Sequence, residues 1–369
     1  MDLSRFLLAW RTTALRDREV IDALVHPAHA SPSPELQRAL AEWPGSYYWS
    51  DEPEGRHLVL TRRAPAPPRE AWALHLALFA ATLLTTTYAG AVLTGAISSD
   101  SPLAPFGEMP ARASELARAW GTGLVFSLPL LAILLSHELG HYLTARRYSL
   151  DVSPPYFIPV PLVPAFIGTM GAFIRLRTIL SDRRQLLDVG VAGPIAGFLV
   201  ALPVLGVGLA QSHALPAHAG FSGMVLWFGE TPAALGDSLI TLVLRRALLG
   251  NAAAVGLHPL AFAGWVGMFV TMLNLLPISQ LDGGHILYAA LPRWHQRVAL
   301  VFWALIVALG WFWRGWVLWG LLVLALSRGR LGHPPVLDAF RPLPRSRRRL
   351  AWGALTLFLM TFAPVPFRL

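Results

Sequence analysis

Apolar residues in this chain gather into long runs, and the length of those runs sorts the molecule before any motif is considered. Runs over 72–93, 121–142, 187–210 and 258–276 each have about the length that crosses a bilayer's hydrocarbon core, roughly 20 residues of helix. Two shorter runs, 298–311 and 315–326, predict a tight helical hairpin turned at Arg314, and 350–364 predicts a last span. Residues 1–65 are the only sizeable polar region. There, 4–25 has helical apolar spacing and Ser33 is placed to cap a second helix through Leu40. Residues 47–50 and 57–61, parted by the acidic loop 51–55, predict a short hairpin. The expectation is a small soluble α+β module joined by the stiff linker 65–68 to a membrane-embedded domain over 70–369.

Between the second and third spans the pattern is neither loop-like nor helical. Residues 154–161 hold too many prolines for a helix interior, and 166–176 combine β-branched and aromatic residues with Gly168 and Gly171. We expect an extended or re-entrant segment there, because irregular backbone at membrane depth survives only against protein or a wet cavity. Residues 211–257 predict a weakly amphipathic loop. The fold class expected is mainly α: a polytopic helical bundle of six or seven spans with a short membrane-associated β or re-entrant segment.

Composition agrees. The chain is 54% hydrophobic and 14% charged, with a mean hydropathy of +0.51, against about 25% charged residues in an average soluble domain. The absence of cysteine excludes disulfides and a thiolate zinc site. A net charge of +9, all of it from arginine, suggests nucleic acid only until the arginines are located. Arg146, Arg147, Arg175, Arg177, Arg183 and Arg184 share one connection, and the segment 328–349 is strongly basic, whereas 96–120 and 211–257 hold few arginines. Seven spans with the N-terminus inside put every basic loop on the cytoplasmic side. No continuous apolar core in the first 65 residues marks a secretory signal, and Asp2, Asp17, Glu19 and Asp22 argue against an organelle transit peptide.

The chemistry sits at the end of the second span. His137 and His141 are four residues apart, about 400° round a helix, so both rings leave one face, and Glu138 stands about 100° away. That spacing suits zinc with a glutamate as general base. A catalytic zinc takes three protein ligands plus water, and Asp282 is the choice for the third. Pro277 should end the fourth span, and Asp282-Gly283-Gly284 should restart a helix with Asp282 near its N-cap. An unpaired aspartate in an apolar span costs about 2.5–3.5 kcal/mol on insertion scales, which a bound cation would offset. Chance HExxH motifs occur, and Asp-Gly-Gly alone is usually a turn, but both fall at span ends on one side. His285 either supports Asp282 or caps a helix. His75 reads as an interfacial or core residue; His26, His29, His57, His213, His218, His295 and His333 read as surface residues. The small residues of 190–197 read as a helix-packing stripe rather than a ligand site.

His137-Glu138-Leu139-Gly140-His141 in one span, Ala192-Gly193-Pro194-Ile195-Ala196-Gly197 in a middle span and Asn274 to Gly284 (NLLPISQLDGG) ending a later one resemble the site-2 protease family of intramembrane zinc metalloproteases. The context of the last motif is most similar to the bacterial and plastid branch. The resemblance covers roughly 70–335. It implies one zinc on His137, His141 and Asp282, Glu138 as catalytic acid/base, and Asn274 binding substrate or the oxyanion. It also implies that the strand near 168–176 pairs with substrate. The 211–257 connection is too short for the PDZ domain many bacterial relatives carry. The expected activity is cleavage of a transmembrane segment of another protein in the lipid bilayer, near the cytoplasmic side of a bacterial cell membrane. Two rivals are a metal transporter, which would distribute polar residues along several spans, and a non-catalytic zinc scaffold, which would close the site with a fourth ligand.

Overall fold

The computed structural model describes residues 3–14, 18–29, 31, 33–53, 55–63, 70–98, 109–160, 167–178, 180–216, 222–228, 231–334, 336 and 342–368. The linker expected at 65–68 lies outside these residues, as do Phe166 and His218. Two units emerge, the first comprising Met1–Glu70 with Arg146–Ser153 and Leu176–Leu180.

In the first unit a 3₁₀ turn, Leu3–Phe6, leads into β1 (Leu7–Ala14) and β2 (Arg18–Val25). Helix α1 (Pro34–Ala41) follows, then β3 (Gly45–Glu52) and β4 (Gly55–Arg63). The antiparallel sheet runs β1-β2-β4-β3. Its apolar face, with Leu58 and Leu60, meets Phe6, Val25, Leu36 and Leu40. Each such buried side chain contributes about 1.5–3 kcal/mol. Ser33 caps α1 as expected, accepting from the Leu36 N–H at 3.2 Å. The hairpin expected at 47–61 is β3–β4. The helix expected over 4–25 is instead the β1–β2 hairpin. Short apolar-rich stretches fit both periods, and Thr12, Thr13, Val20 and Ile21 favour the pleated form. Later in this unit, Arg177 bridges Glu70 at 2.6 Å and Asp151 at 3.4 Å.

The second unit opens with α2 (Trp72–Leu93) and α3 (Ala113–Arg147). A short antiparallel pair follows, β5 (Tyr156–Pro159) with β6 (Thr169–Phe173), and then α4 (Arg183–Ala210). These three helices are long and apolar enough to cross a membrane. At 35 residues α3 spans about 52 Å, well beyond the expected 121–142. The extended segment expected near 166–176 is β6. It is tied to α2 where Thr85 Oγ1 donates to the Gly168 carbonyl at 2.7 Å, an approach that φ +79° at Gly168 permits. His75 is buried, its Nδ1 3.0 Å from the Pro155 carbonyl.

Residues 211–257 are not a loop. They form β7 (His213–Leu215), β8 (Gly223–Phe228), β9 (Thr231–Leu235), α5 (Leu239–Leu249) and β10 (Ala254–Gly256). The C-terminal strand β11 (Phe367–Arg368) joins them in a five-stranded sheet ordered β11-β9-β8-β10-β7. Strands of three to six residues are too short to announce themselves by alternation, and β11 is recruited from more than a hundred residues away. Ser238 caps α5 through a capping box with Thr241.

Helix α6 (Pro259–Asn274), α7 (Asp282–Ala290), α8 (His295–Leu309), α9 (Gly315–Leu326) and α10 (Arg345–Thr361) complete the chain. Of these, α6, α8 and α9 are apolar but shorter than a full span. The α8–α9 hairpin turns at Arg314 as expected. Helices α4 and α6 cross closely because Gly208 faces the Ala261 backbone and Gly264 faces Leu205. Phe126, Leu130, Ile133, Leu205, Phe262 and Trp265 fill the space beside that crossing. Asp282 starts α7 at its first helical position, one residue after the N-cap, which is Leu281.

Candidate metal centre

Helix α3 presents His137, Glu138 and His141, each under 8% exposed, with the two histidines turned to α4 and the α6–α7 connection. Asp282 arrives from the start of α7, because Pro277 ends the α6 path and the two glycines after Asp282 let the connector fold tightly. A side chain at Gly283 would run into the Leu275 carbonyl, and one at Gly284 into the Ser279 carbonyl. The result is a buried triangle. Asp282 Oδ2 lies 3.3 Å from both His137 Nε2 and His141 Nε2. The two ring nitrogens are 3.1 Å apart.

Could this triangle hold a metal? His141 Nδ1 lies 2.8 Å from the Val189 carbonyl, so Nδ1 carries the proton and donates. In the neutral ring, Nε2 then keeps its lone pair, which faces another ring nitrogen and a carboxylate. Three electron-rich atoms converging in a buried space repel one another unless a proton or a metal cation lies among them. Their spacing also fits. Tetrahedral bonds of about 2.05 Å give ligand atoms about 3.3 Å apart. Among the described residues, this buried group contains three potential ligands and no fourth.

Two supports surround the triangle that motif reading had assigned only to helix packing. Gly193 of α4 lies against the His141 ring so closely that any β-carbon there would overlap it. A β-carbon at Gly197 would stand 3.2 Å from His137 Cβ. The glycine spacing along 190–197 therefore seats the two imidazoles against α4. The sequence signal was present, but its partner was not. The Val189 carbonyl carries no sequence signal at all.

Asn274, at the C-terminal end of α6, brings Nδ2 to 3.2 Å from His137 Nε2. Glu138 points toward the two-stranded sheet, where the Ile174 backbone just past β6 hydrogen-bonds to it. All five residues singled out from the sequence, His137, Glu138, His141, Asn274 and Asp282, thus meet in one place.

Two histidines differ from expectation, and for a third, His285, one of the alternatives falls away. His285 does not bond Asp282; its Nδ1 lies 2.7 Å from His333 Nε2. His333, expected at the surface, stacks on Tyr288 with ring centroids 4.6 Å apart, and His295 is 2% exposed. Burial pushes His333 below its ordinary pKa, so its ring stays neutral, with Nδ1–H donating to the Pro334 carbonyl and Nε2 accepting from His285. The same strap holds Ser279, whose N–H donates to the Leu331 carbonyl at 3.1 Å and whose hydroxyl donates to the Arg330 carbonyl at 3.2 Å. Residues 330–333 thereby clamp both ends of the turn that delivers Asp282. Polar contacts between segments about fifty residues apart leave no local pattern.

Comparison with known proteins gives the same direction. The chain is 36% identical over 253 residues to the probable zinc metalloprotease EGY1, chloroplastic, of Arabidopsis thaliana, covering 65% of this chain and 43% of that one. It is 39% identical over 170 residues to the protein of the same name from Oryza sativa subsp. japonica, covering 44% and 27%. It is 28% identical over 273 residues to the probable zinc metalloprotease EGY2, chloroplastic, of Arabidopsis thaliana, covering 70% and 46%. The chain therefore spans less than half the length of these curated relatives. No solved structure matches it. Residues 125–310, which hold the whole triangle, match peptidase family M50. With the histidine pair, the distant aspartate and the glycine-seated imidazoles inside that match, this chain belongs to peptidase family M50, the site-2 protease family of zinc metalloproteases.

Proposed function

We propose that the chain is an intramembrane zinc metalloendopeptidase that cuts a transmembrane segment of another membrane protein. One zinc per chain would be held by His137, His141 and Asp282, with Glu138 as general acid/base. The observation that carries this reading is the convergence of three metal-binding atoms, 3.1–3.3 Å apart, beside a buried glutamate on an apolar helix. An open fourth position is the catalytic arrangement; a structural zinc is closed by four protein ligands.

Zinc, when bound, polarises a carbonyl and brings the pKa of a water down to about 7. The chain's own residues do the rest. Glu138 takes the proton from the attacking water as the new C–O bond forms, then returns it to the amide nitrogen as the C–N bond breaks. Asn274 Nδ2 donates to the substrate oxygen as charge builds there. The Val189 carbonyl and the two glycines keep the imidazoles from turning. A helix hides its scissile carbonyls in its own hydrogen bonds, so the substrate must be unwound before attack. Strand β6 supports that step: its Met170 and Phe173 are exposed, and the backbone just beyond it hydrogen-bonds to Glu138. Added as a further strand, the substrate is held extended in front of the base.

In this reading, residues 1–65 form a soluble module and 70–369 the membrane-embedded protease domain. The shorter apolar helices α6, α8 and α9 and the apolar part of α10 join α2, α3 and α4 in a bundle of six or seven spans. The site lies near the side that carries the arginine-rich loops. The named relatives are chloroplastic, which gives no support to a bacterial inner membrane, and the proposal keeps only a lipid bilayer. The test is a comparison of membrane-protein fragments in cells carrying the wild type or Glu138→Gln. Fragments cut within an apolar segment should appear only with the wild type. Identical fragment sets would count against the reading.

A further inference from the structure

Beside the connector that delivers Asp282 lies a cavity of about 420 Å³. Its walls come from α7 (Ile286, Leu287), α8 (Phe302) and α10, and its floor includes Leu275, Pro277 and Gly283. The lining is apolar with one exception, Arg348. On α10 the lining residues Arg348, Trp352, Leu355 and Phe358 repeat at helical spacing and so form a single stripe. Ten residues at 1.5 Å each make that stripe about 15 Å long, charged at one end and apolar along the rest. Among the described residues no side-chain hydrogen bond or ion pair engages the Arg348 guanidinium, whereas its neighbour Arg347 is held by Asp188 at 2.9 Å. Arg345 and Arg349 add positive charge at the same helix end.

A charged mouth on a long apolar slot fits an amphiphile with an anionic head. We infer that this cavity binds one acyl chain of an anionic phospholipid, with the phosphate on Arg348 and the chain running along Trp352, Leu355 and Phe358. The surrounding bilayer is the source, since the helices that frame the slot are apolar on exposed faces outside it as well, at Leu300, Val301 and Leu305 of α8 and Leu359 of α10. Basic pockets between membrane helices bind anionic headgroups for the same reason: the guanidinium forks onto phosphate oxygens at the depth where headgroups lie. Zwitterionic lipid offers the same chain but a compensated head, so it should occupy the slot more weakly. The site is separate from the metal triangle, although Gly283, next to Asp282, belongs to its lining.

The test uses the purified full chain in detergent, titrated with phosphatidylglycerol or phosphatidylcholine and read by native mass spectrometry. Four proteins are compared: wild type, Arg348→Glu, Arg349→Glu and Leu355→Trp. Arg349 does not line the cavity, so Arg349→Glu makes the same charge change outside it. The wild type and Arg349→Glu should retain phosphatidylglycerol over phosphatidylcholine. Arg348→Glu should lose about fivefold or more of that retention, the scale of one arginine at an anionic surface. Leu355→Trp should lose both lipids by filling the slot. Helicity and melting temperature of each variant are read alongside, and Arg348→Gln, expected to lose the preference for the anionic lipid, replaces Arg348→Glu if the latter unfolds. Equal loss in the two glutamate variants, no preference for the anionic lipid, unchanged lipid retention in Leu355→Trp, or a co-purifying peptide in the slot would each overturn the inference.

Discussion

His141 does two jobs with one ring. Its Nδ1–H is fixed on the Val189 carbonyl at 2.8 Å, which leaves Nε2 free to face Asp282 and His137. Removing either the ring or the carboxylate should therefore empty the proposed site. His141→Ala and Asp282→Ala are expected to purify with less than a tenth of the wild-type zinc, measured by elemental analysis, while Glu138→Gln keeps its zinc and loses activity about 10²–10⁴-fold. Zinc retained in full by Asp282→Ala would mean that the third ligand lies elsewhere. The seating of the rings makes a second prediction. Gly193→Ala puts a methyl group inside the His141 ring, an overpacking that costs about 1–3 kcal/mol or more. Its melting temperature and zinc content should both fall, whereas Gly206→Ala, where a β-carbon meets open space, should leave zinc content unchanged.

At the scale of elements, α7 is short and is held in place by its neighbours. The His285–His333 hydrogen bond and the Ser279 contacts with Arg330 and Leu331 fix the turn before it and the first turn within it. Partners outside the metal's own ligands typically shift affinity 10–100-fold, and His333→Ala is expected at the low end, about tenfold weaker in a zinc competition titration with its far-UV circular dichroism unchanged. Unaltered zinc affinity would show that the strap is packing only. The same element shows what sequence reading reaches and what it misses. The break at Pro277 and the restart at Asp282 were legible because proline and glycine act locally, whereas apolar run length located α3 but missed its extent, Ala113–Arg147. Likewise Ser33 announced the start of α1. The β1–β2 hairpin was misread because eight apolar-rich residues satisfy two periods, and the buried His295 and half-buried His333 because their neighbours come from distant segments. Nothing near either residue in the chain distinguishes a core histidine from a surface one.

For the whole molecule, four residues spread from 137 to 282 were identified from motif chemistry and a fifth, Asn274, from the family resemblance; they are found together, because a metal site imposes donor types and spacing that survive in the sequence. The five-stranded sheet built from 213–256 and 367–368 imposes no such constraint and stayed hidden. If zinc is the cofactor, 1,10-phenanthroline should abolish proteolysis by the full chain and added zinc should restore it; activity that survives the metal-free state would exclude the proposed mechanism. The central claim, cleavage inside a membrane by Glu138 beside a His137–His141–Asp282 metal, is tested most directly in liposomes. The full chain, as wild type or Glu138→Gln, is reconstituted with a single-span membrane protein, and the product termini are mapped by mass spectrometry. The account predicts a cut within the apolar segment with the wild type and none with Glu138→Gln. A cut outside the apolar segment, or one that Glu138→Gln makes equally well, would contradict it.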